Sequence, residues 1–330
     1  MKIVIVTDAW RPQINGVVRT LSAVCAGLCS AGHEPLVISP DLFPTIPCPG
    51  YPDIRLTVGA RWKLPRLLSM ARPDAIHIST EGPLGLAARR YCLSRDFRFT
   101  TAFHTRFPEY LRDRIGLPLD WGYGALRRFH APSAAVMAAS ASTRAELAAR
   151  GFERVVAWTR GVDTELFRPV PAGVELPRPV FLYVGRLAVE KNLPAFLDLD
   201  LPGSKLVVGD GPMLASLRRR YPQVRFAGAR HGDELVQHYA AADALVLPSR
   251  TETFGLVLLE ALACGVPVAA FPAPGPIDVI GSSGVGVLSE DLGAAALACL
   301  SVPRKTCREY ALQFGWQTSV DQFLSHVAWL

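Results

Sequence analysis

Apolar positions in this chain come in short continuous runs, set between stretches where they recur every three to four residues, and that alternation predicts the architecture. Residues 2–7 (KIVIVT) carry a run with no polar face, the mark of a parallel strand covered on both sides. The loop DAWRPQINGV leads from it into a helical pattern over residues 17–30. The strand signal returns at residues 35–39, 74–78 (DAIHI), 99–103 (FTTAF) and 135–139. A further helix begins at Ser142 (STRAELAARG), with Gly151 as its C-cap. Strands alternating with helices predict right-handed crossovers and a parallel sheet.

Residues 168–179 (RPVPAGVELPRP) hold four prolines and a glycine and mark a linker. The alternation then restarts, with strands at residues 180–184 (VFLYV), 205–209, 223–228, 244–247 and 267–271. The closing segment, residues 304–330, is helical with no strand after it. The expected organisation is two α/β domains in tandem, residues 1–170 and 171–308, with residues 309–330 crossing back to the first.

A length of 330 residues suits two such domains, and 50% apolar with 19% charged residues is globular composition. The apolar start is too short for a signal peptide, and no run reaches the roughly 18 residues of a membrane span. Seven cysteines without a CxxC pair argue against a disulfide framework and a zinc site alike. The net charge of +6 is unevenly placed: residues 1–170 hold 22 Lys/Arg against 14 Asp/Glu, whereas residues 171–330 hold 13 against 15. The basicity belongs to the first half. No aromatic-basic ladder or zinc finger accompanies it, which ranks an anionic membrane surface above nucleic acid as the partner.

Candidate chemistry falls on the loops after strands. Asn15 and Gly16 feed the first helix, where a glycine lets a phosphate approach the backbone, or where NG is a plain turn. In residues 55–72 the cations Arg55, Arg61, Lys63, Arg66 and Arg72 alternate with Trp62, Leu64, Leu67, Leu68 and Met70. Such a segment fits a lipid interface or an ordinary surface helix with snorkelling arginines, and Pro65 should open any helix in it. His104 follows a strand at the edge where open α/β sheets bind ligands, though a structural histidine fits too. After the strand at 180–184, Gly185, Arg186 and Lys191 form either a pyrophosphate clamp or a solvated basic loop.

Residues 250–265 (RTETFGLVLLEALACG) place Glu252 in a loop and Glu260 one turn into a helix. Free amides and the positive dipole end lie between them. Such a place suits an anion flanked by hydroxyls; the plainer alternative has Glu252 capping the helix and Glu260 on a solvated face. No complete G-x-G-x-x-G joins a strand to a helix, since GDGPML lacks the third glycine, and this disfavours a nicotinamide dehydrogenase. P-loop, G-x-S-x-G and H-E-x-x-H motifs are absent as well.

Taken in order, INGV before and after Asn15, HTRFPEY from His104, RGVDTELFRP from Arg160, GRLAVEKN from Gly185, VGDGP from Val208 and the E-x7-E pair Glu252/Glu260 resemble one family. It is the fourth sequence family of retaining, nucleotide-sugar-dependent glycosyltransferases, and the match runs over nearly the whole chain. Within the family the chain resembles GDP-mannose-dependent α-mannosyltransferases and enzymes that glycosylate diacylglycerol. The resemblance implies a GT-B fold, two Rossmann-like α/β domains with parallel sheets facing across a cleft. It assigns Arg186 and Lys191 to the donor diphosphate, Gly16 to closure upon it and Glu260 to the ribose. Glu252, with amides near Phe254, Gly255 and Leu256, and His104 are assigned to the donor sugar. The base falls to the loop of Arg230 and His231. INGV departs from the double glycine of many members.

The implied reaction is front-face transfer with retention, the departing phosphate deprotonating the acceptor hydroxyl, with neither a metal nor a cofactor. GDP-mannose, UDP-glucose and UDP-glucuronate all fit as donors. The acceptor is expected to be a lipid such as diacylglycerol or a glycolipid, approached through Arg61, Trp62, Lys63 and Arg66. The protein is accordingly expected in the cytoplasm, peripheral on the inner face of the cytoplasmic membrane. Rival readings are a GT-B epimerase or sugar phosphorylase, and a non-catalytic nucleotide-binding scaffold.

Overall fold

The computed structural model describes residues 1–13, 15–48 and 51–330, and their side chains except at 51–54, 113 and 114. Ile14 of the INGV motif therefore lies outside the described residues. The chain begins β1 (Lys2–Val6), α1 (Gly16–Ser30), β2 (Glu34–Ile38), β3 (Thr45–Cys48), β4 (Tyr51–Thr57), α2 (Ala60–Ala71), β5 (Ala75–Ile78) and α3 (Pro83–Leu93). It continues with β6 (Thr100–Phe103), α4 (Phe107–Ile115), α5 (Leu119–His130), β7 (Ala135–Ala138), α6 (Ala141–Ala149) and β8 (Val155–Ala157).

The second series is β9 (Val180–Val184), α7 (Pro194–Leu197), β10 (Ser204–Val208), α8 (Leu214–Arg220), β11 (Arg225–Gly228), α9 (Gly232–Ala241) and β12 (Ala244–Leu247). Then come α10 (Leu256–Ala263), β13 (Val268–Ala270), α11 (Pro274–Val279), β14 (Gly286–Leu288), α12 (Leu292–Cys299), α13 (Arg304–Ala311) and α14 (Trp316–His326).

These elements make two six-stranded parallel sheets, β2-β1-β5-β6-β7-β8 and β11-β10-β9-β12-β13-β14, plus the antiparallel pair β3-β4. The chain divides into a first unit, Met1–Thr159 with Trp316–Leu330, and a second, Arg160–Gly315.

In the first unit, successive β1 side chains serve opposite faces, as the two-residue period demands. Val4 and Val6 join Ile76 and Ile78 under α2, α3 and part of α5; Ile3 and Ile5 join Leu21, Val24, Val320 and Phe323 under α1 and α14. Gly27 lets those two helices touch, since a Cβ there would stand 2.3 Å from Val320 Cγ2.

Several expectations need correction. The division after Thr159 lies upstream of the linker, because Val162 N donates to Phe314 O at 2.9 Å. Arg308 likewise donates to the carbonyls of Phe167 (2.7 Å) and Thr164 (3.0 Å). Residues 160–167 are thus tied to the second unit, and the proline-rich stretch runs inside it. The closing segment is two helices rather than one. α13 belongs to the second unit and α14 to the first, where Ser319 O accepts from Trp158 Nε1 at 3.1 Å.

α2 begins at Ala60, so Pro65 sits inside it. Removing one amide is tolerated because Leu64 and Leu68, four apart, are fully buried and anchor the helix. Arg55 is in β4 instead, its guanidinium donating to Thr45 O at 2.9 Å. Sequence periodicity missed β3, β4, β8 and β14. β8 and β14 are three-residue edge strands, too short to show a period.

Candidate active site

Strand order locates the crevice in each unit. In the second, the chain winds outward from β9 through β10 to β11, then returns to place β12 on the other side of β9. The loops after β9 and β12 therefore part at the carboxyl edge, where open α/β sheets take their ligands. Those loops carry Arg186, Lys191 and Glu252.

The loop after β9 is braced from behind by GDGP. Leu187 N donates to Asp210 O at 2.8 Å, and Met213 N to Leu187 O at 3.0 Å. A Cβ on Gly209 would lie 1.9 Å from Gly185 O, and one on Gly211 2.5 Å from Leu187 O. Only glycine allows this backbone contact, which holds the half-buried Arg186 at the edge. The sequence reading weighs GDGP as a dinucleotide fingerprint and as a family motif, and gives these two glycines no positioning role.

Across the switch point, Thr251 Oγ1 donates to Glu190 O at 3.3 Å and Asn192 Nδ2 to Pro248 O at 3.2 Å. These bonds fix the two loops against each other. Between them Lys191 Nζ donates to Glu252 Oε2 at 2.7 Å, with the side chains only 19% and 17% exposed. Glu252 therefore does not cap α10. The N-cap is Gly255, left-handed at φ +86° and making no side-chain cap bond, so the amides at Leu256 and beyond are not covered by a capping side chain. Phe254 is buried.

Glu260 is 3% exposed and accepts from Tyr239 Oη at 2.9 Å, which excludes a solvated-face role. Tyr239, on α9, has no sequence signal linking it to Glu260. Arg230 and His231 follow β11, two strands from β9. Arg230 pairs with Glu234 at 3.5 Å, and His231 is the N-cap position of α9.

In the first unit the equivalent switch point lies between β1 and β5. Here stands Asp8, another residue the sequence reading passed over, although an acid directly after the first buried strand is a usable signal. Its carboxylate accepts from Leu84 N (2.9 Å), Thr80 Oγ1 (2.8 Å) and Gly85 N (3.3 Å). Burial nonetheless raises its pKa above the ordinary value. Gly16 opens α1, and Asn15 Oδ1 caps that helix by accepting from Val18 N at 3.0 Å.

His104 follows β6, half-buried, with its ring edge-on to Trp158 at 5.5 Å. Two residues on, Arg106 is buried between Glu109 (3.2 Å) and Glu146 (2.5 Å). Tyr123 Oη donates to Glu109 at 2.7 Å, and the Arg150 guanidinium lies 3.9 Å over the Tyr123 ring. Burial, then the bond to Glu109, pushes the Tyr123 hydroxyl far above its usual pKa. This network ties α4, α5 and α6 beside the loop bearing His104.

On α2, Trp62, Arg66 and Met70 share one exposed stripe. Arg61 stacks on Trp62 at 3.9 Å, and Lys63 turns back over Phe43 at 5.3 Å. No helix among the described residues is long and apolar enough to cross a membrane. Nor does any group of three or more His, Cys, Asp or Glu among them gather as a metal site.

Family models match both units: "Glycosyltransferase Family 4" over residues 14–166 and "Glycosyl transferases group 1" over residues 178–302. A GDP-mannose-dependent alpha-mannosyltransferase of Mycobacterium tuberculosis is 30% identical over 99% of this chain and 96% of its own. The chain belongs to glycosyltransferase family 4.

This family 4 glycosyltransferase is also 31% identical to the sulfoquinovosyl transferase SQD2 of Arabidopsis thaliana, over 72% of this chain and 50% of that one. Among solved structures, a sucrose-phosphate synthase from Thermosynechococcus elongatus superposes with a TM-score of 0.79 at 21% identity, covering 98% and 97% of the two chains. HepE of Anabaena, in complex with UDP-glucose, does so with a TM-score of 0.74 at 17% identity, covering 98% of each. The fold is that of the GT-B glycosyltransferases.

Proposed function

We propose that this glycosyltransferase moves a hexose or hexuronic acid from a nucleotide diphosphate sugar to a hydroxyl of a lipid acceptor, with retention at the anomeric carbon and without a metal or cofactor. The observation that carries the reading is the Lys191–Glu252 pair beside the uncapped start of α10, with Glu260 held by Tyr239 one turn further on. A cation, free amides and two carboxylates are the groups that a diphosphate flanked by sugar and ribose hydroxyls requires.

Arg186, Lys191 and the α10 dipole stabilise the leaving diphosphate. Glu252 and the amides at Phe254, Gly255 and Leu256 hold the sugar, Glu260 takes the ribose, and Arg230 with His231 meets the base. Gly16 and His104, at the carboxyl edge of the first sheet, keep the phosphate and sugar roles their family assigns. The departing phosphate oxygen takes the acceptor's proton. Since the Mycobacterium tuberculosis relative, matched over 96% of its own length, is GDP-mannose-dependent, GDP-mannose is the first donor to test, before UDP-glucose and UDP-glucuronate. Arg61, Trp62, Lys63 and Arg66 on α2 face anionic lipid in a protein peripheral to the inner face of the cytoplasmic membrane.

Thermal shifts against the three nucleotide sugars identify the donor. Transfer into vesicles containing diacylglycerol or a glycolipid, with the anomeric configuration of the product read by NMR, then tests the reaction. Formation of an epimerised donor, or release of sugar to phosphate without an acceptor, overturns the reading in favour of an epimerase or phosphorylase.

A further inference from the structure

Each sheet has a helix that starts from a glycine at its switch point, and the two starts differ. In the second unit the amides that open α10 are not covered by a capping side chain. In the first, Gly82 likewise gives α3 no side-chain cap of its own, yet that N-terminus is filled. Pro83 brings no N–H. The amides of Leu84 and Gly85 donate to the Asp8 carboxylate at 2.9 and 3.3 Å, and Leu86 N donates to Gly82 O at 2.9 Å. Every amide of the first turn of α3 thus has an acceptor.

Asp8 precedes Leu84 by 76 residues and is locked into this seat. Thr80 Oγ1 donates to its carboxylate at 2.8 Å while accepting from its backbone amide at 2.7 Å. A Cβ on Gly82 would stand 2.5 Å from the carboxylate carbon, and one on Gly85 1.8 Å from Thr80 O. Two glycines therefore let the helix end close down on the acid. The charged neighbour of Asp8 is a second acid, Glu81, which lies 3.2 Å from the buried His130 ring. Among the described residues no Lys or Arg pairs with Asp8, although the first half of the chain carries the surplus of cations.

An open helix N-terminus at the ligand-binding edge of a sheet is where a phosphate would be taken. Here a carboxylate of the chain itself holds that place, and the acid beside it disfavours further negative charge. A phosphate arriving at α3 finds no spare amide, whereas an uncharged polyol needs none.

We propose that Asp8 is a specificity-determining residue: by occupying the anion seat of α3 it selects acceptors whose reacting hydroxyl has no phosphate beside it, a neutral glycerol or sugar over a phosphorylated one. This assignment rests on the lipid-acceptor reading above, and the two arms of its test keep them apart.

The first arm follows the melting temperatures of wild type and Asp8→Ser as inorganic phosphate replaces chloride at constant ionic strength. Both proteins keep the same donor site, so the difference between them reports the α3 seat. Asp8→Ser, with the two amides freed, should gain about 2–4 °C more than wild type. An equal gain in both proteins overturns the proposal. The second arm measures transfer to 1-oleoylglycerol and to phosphatidylglycerol in neutral detergent micelles, lipids that present the same terminal diol without and with a phosphate beside it. Wild type should favour 1-oleoylglycerol about tenfold in kcat/KM, and the near-isosteric Asp8→Asn should narrow that ratio several-fold with donor KM unchanged. Equal use of the two lipids by wild type, or an unaltered ratio in Asp8→Asn, overturns the proposal. If Asp8→Ser does not fold, the lipid ratio in Asp8→Asn decides. Glycosylation of neither lipid removes the lipid acceptor, and the phosphate arm then decides the role of Asp8.

Discussion

Lys191 Nζ and Glu252 Oε2 stand 2.7 Å apart although their loops leave the sheet from different strands, β9 and β12. In the absence of donor each neutralises the other. An incoming diphosphate gives Lys191 a second anion, and Glu252 is then released to sugar hydroxyls. Lys191→Ala and Glu252→Ala should each lower kcat by roughly 10² to 10³-fold, with far-UV circular dichroism unchanged. Because the residues act as a pair, the double variant should be little worse than the poorer single one. Wild-type-like turnover in either single variant would remove these residues from the site.

Glu260 accepts from the Tyr239 hydroxyl in a nearly dry setting. Tyr239→Phe deletes this donor to a buried carboxylate, which costs about 1.5–3 kcal/mol. The expected outcome is a donor Kd raised about tenfold with a smaller change in kcat, measured by calorimetry with the nucleoside diphosphate. An unchanged Kd would mean that Glu260 serves the fold alone.

Gly209→Ala and Gly211→Ala should do more damage than their distance from the chemistry suggests. Each methyl group collides with backbone oxygen rather than with a yielding side chain. Melting temperatures should drop by several degrees, consistent with about 2–4 kcal/mol, and diphosphate affinity should fall as Arg186 shifts with its loop. Alanine at Gly315, where nothing stands near the added Cβ, is the control.

Alkaline pH should unfold this protein early. Burial pushes the thiols of Cys92, Cys264 and Cys299 up to about 12 from an ordinary 9.0. An acid with a raised folded pKa contributes stability that is present below its unfolded pKa and is lost as pH climbs through the interval above it. Denaturation midpoints should therefore decline from pH 9 toward pH 12, and a Cys92→Ala/Cys264→Ala/Cys299→Ala variant should decline less steeply. At pH 7.5 a maleimide should label exposed Cys29 well before these three.

The parallel sheets were legible because strands such as β1, β9 and β12 are buried on both faces, and their unbroken apolar runs cannot be mistaken for turns. The placement of Glu252 and Lys191 at one sheet edge was legible for a related reason: each follows such a run at its carboxyl end. Glycines 209 and 211 sat in plain view, yet their partner is the backbone of Gly185 and Leu187, and no residue pattern announces a backbone contact at that separation. Tyr239 and the Arg106–Glu109–Glu146–Tyr123 network were hidden because tertiary pairing between helices leaves no local period. Pro65 misled because propensity penalises a helix interior, while the burial of Leu64 and Leu68 outweighs that penalty.

α14 lies in the first unit although 156 residues of the second intervene between Thr159 and Trp316. During synthesis on the ribosome, the face of the first sheet that carries Ile3, Ile5 and the Trp158 indole is therefore covered only in part, by α1, until Val320 and Phe323 arrive. The unit made first is finished last, and its core closes only when α14 has cleared the exit tunnel.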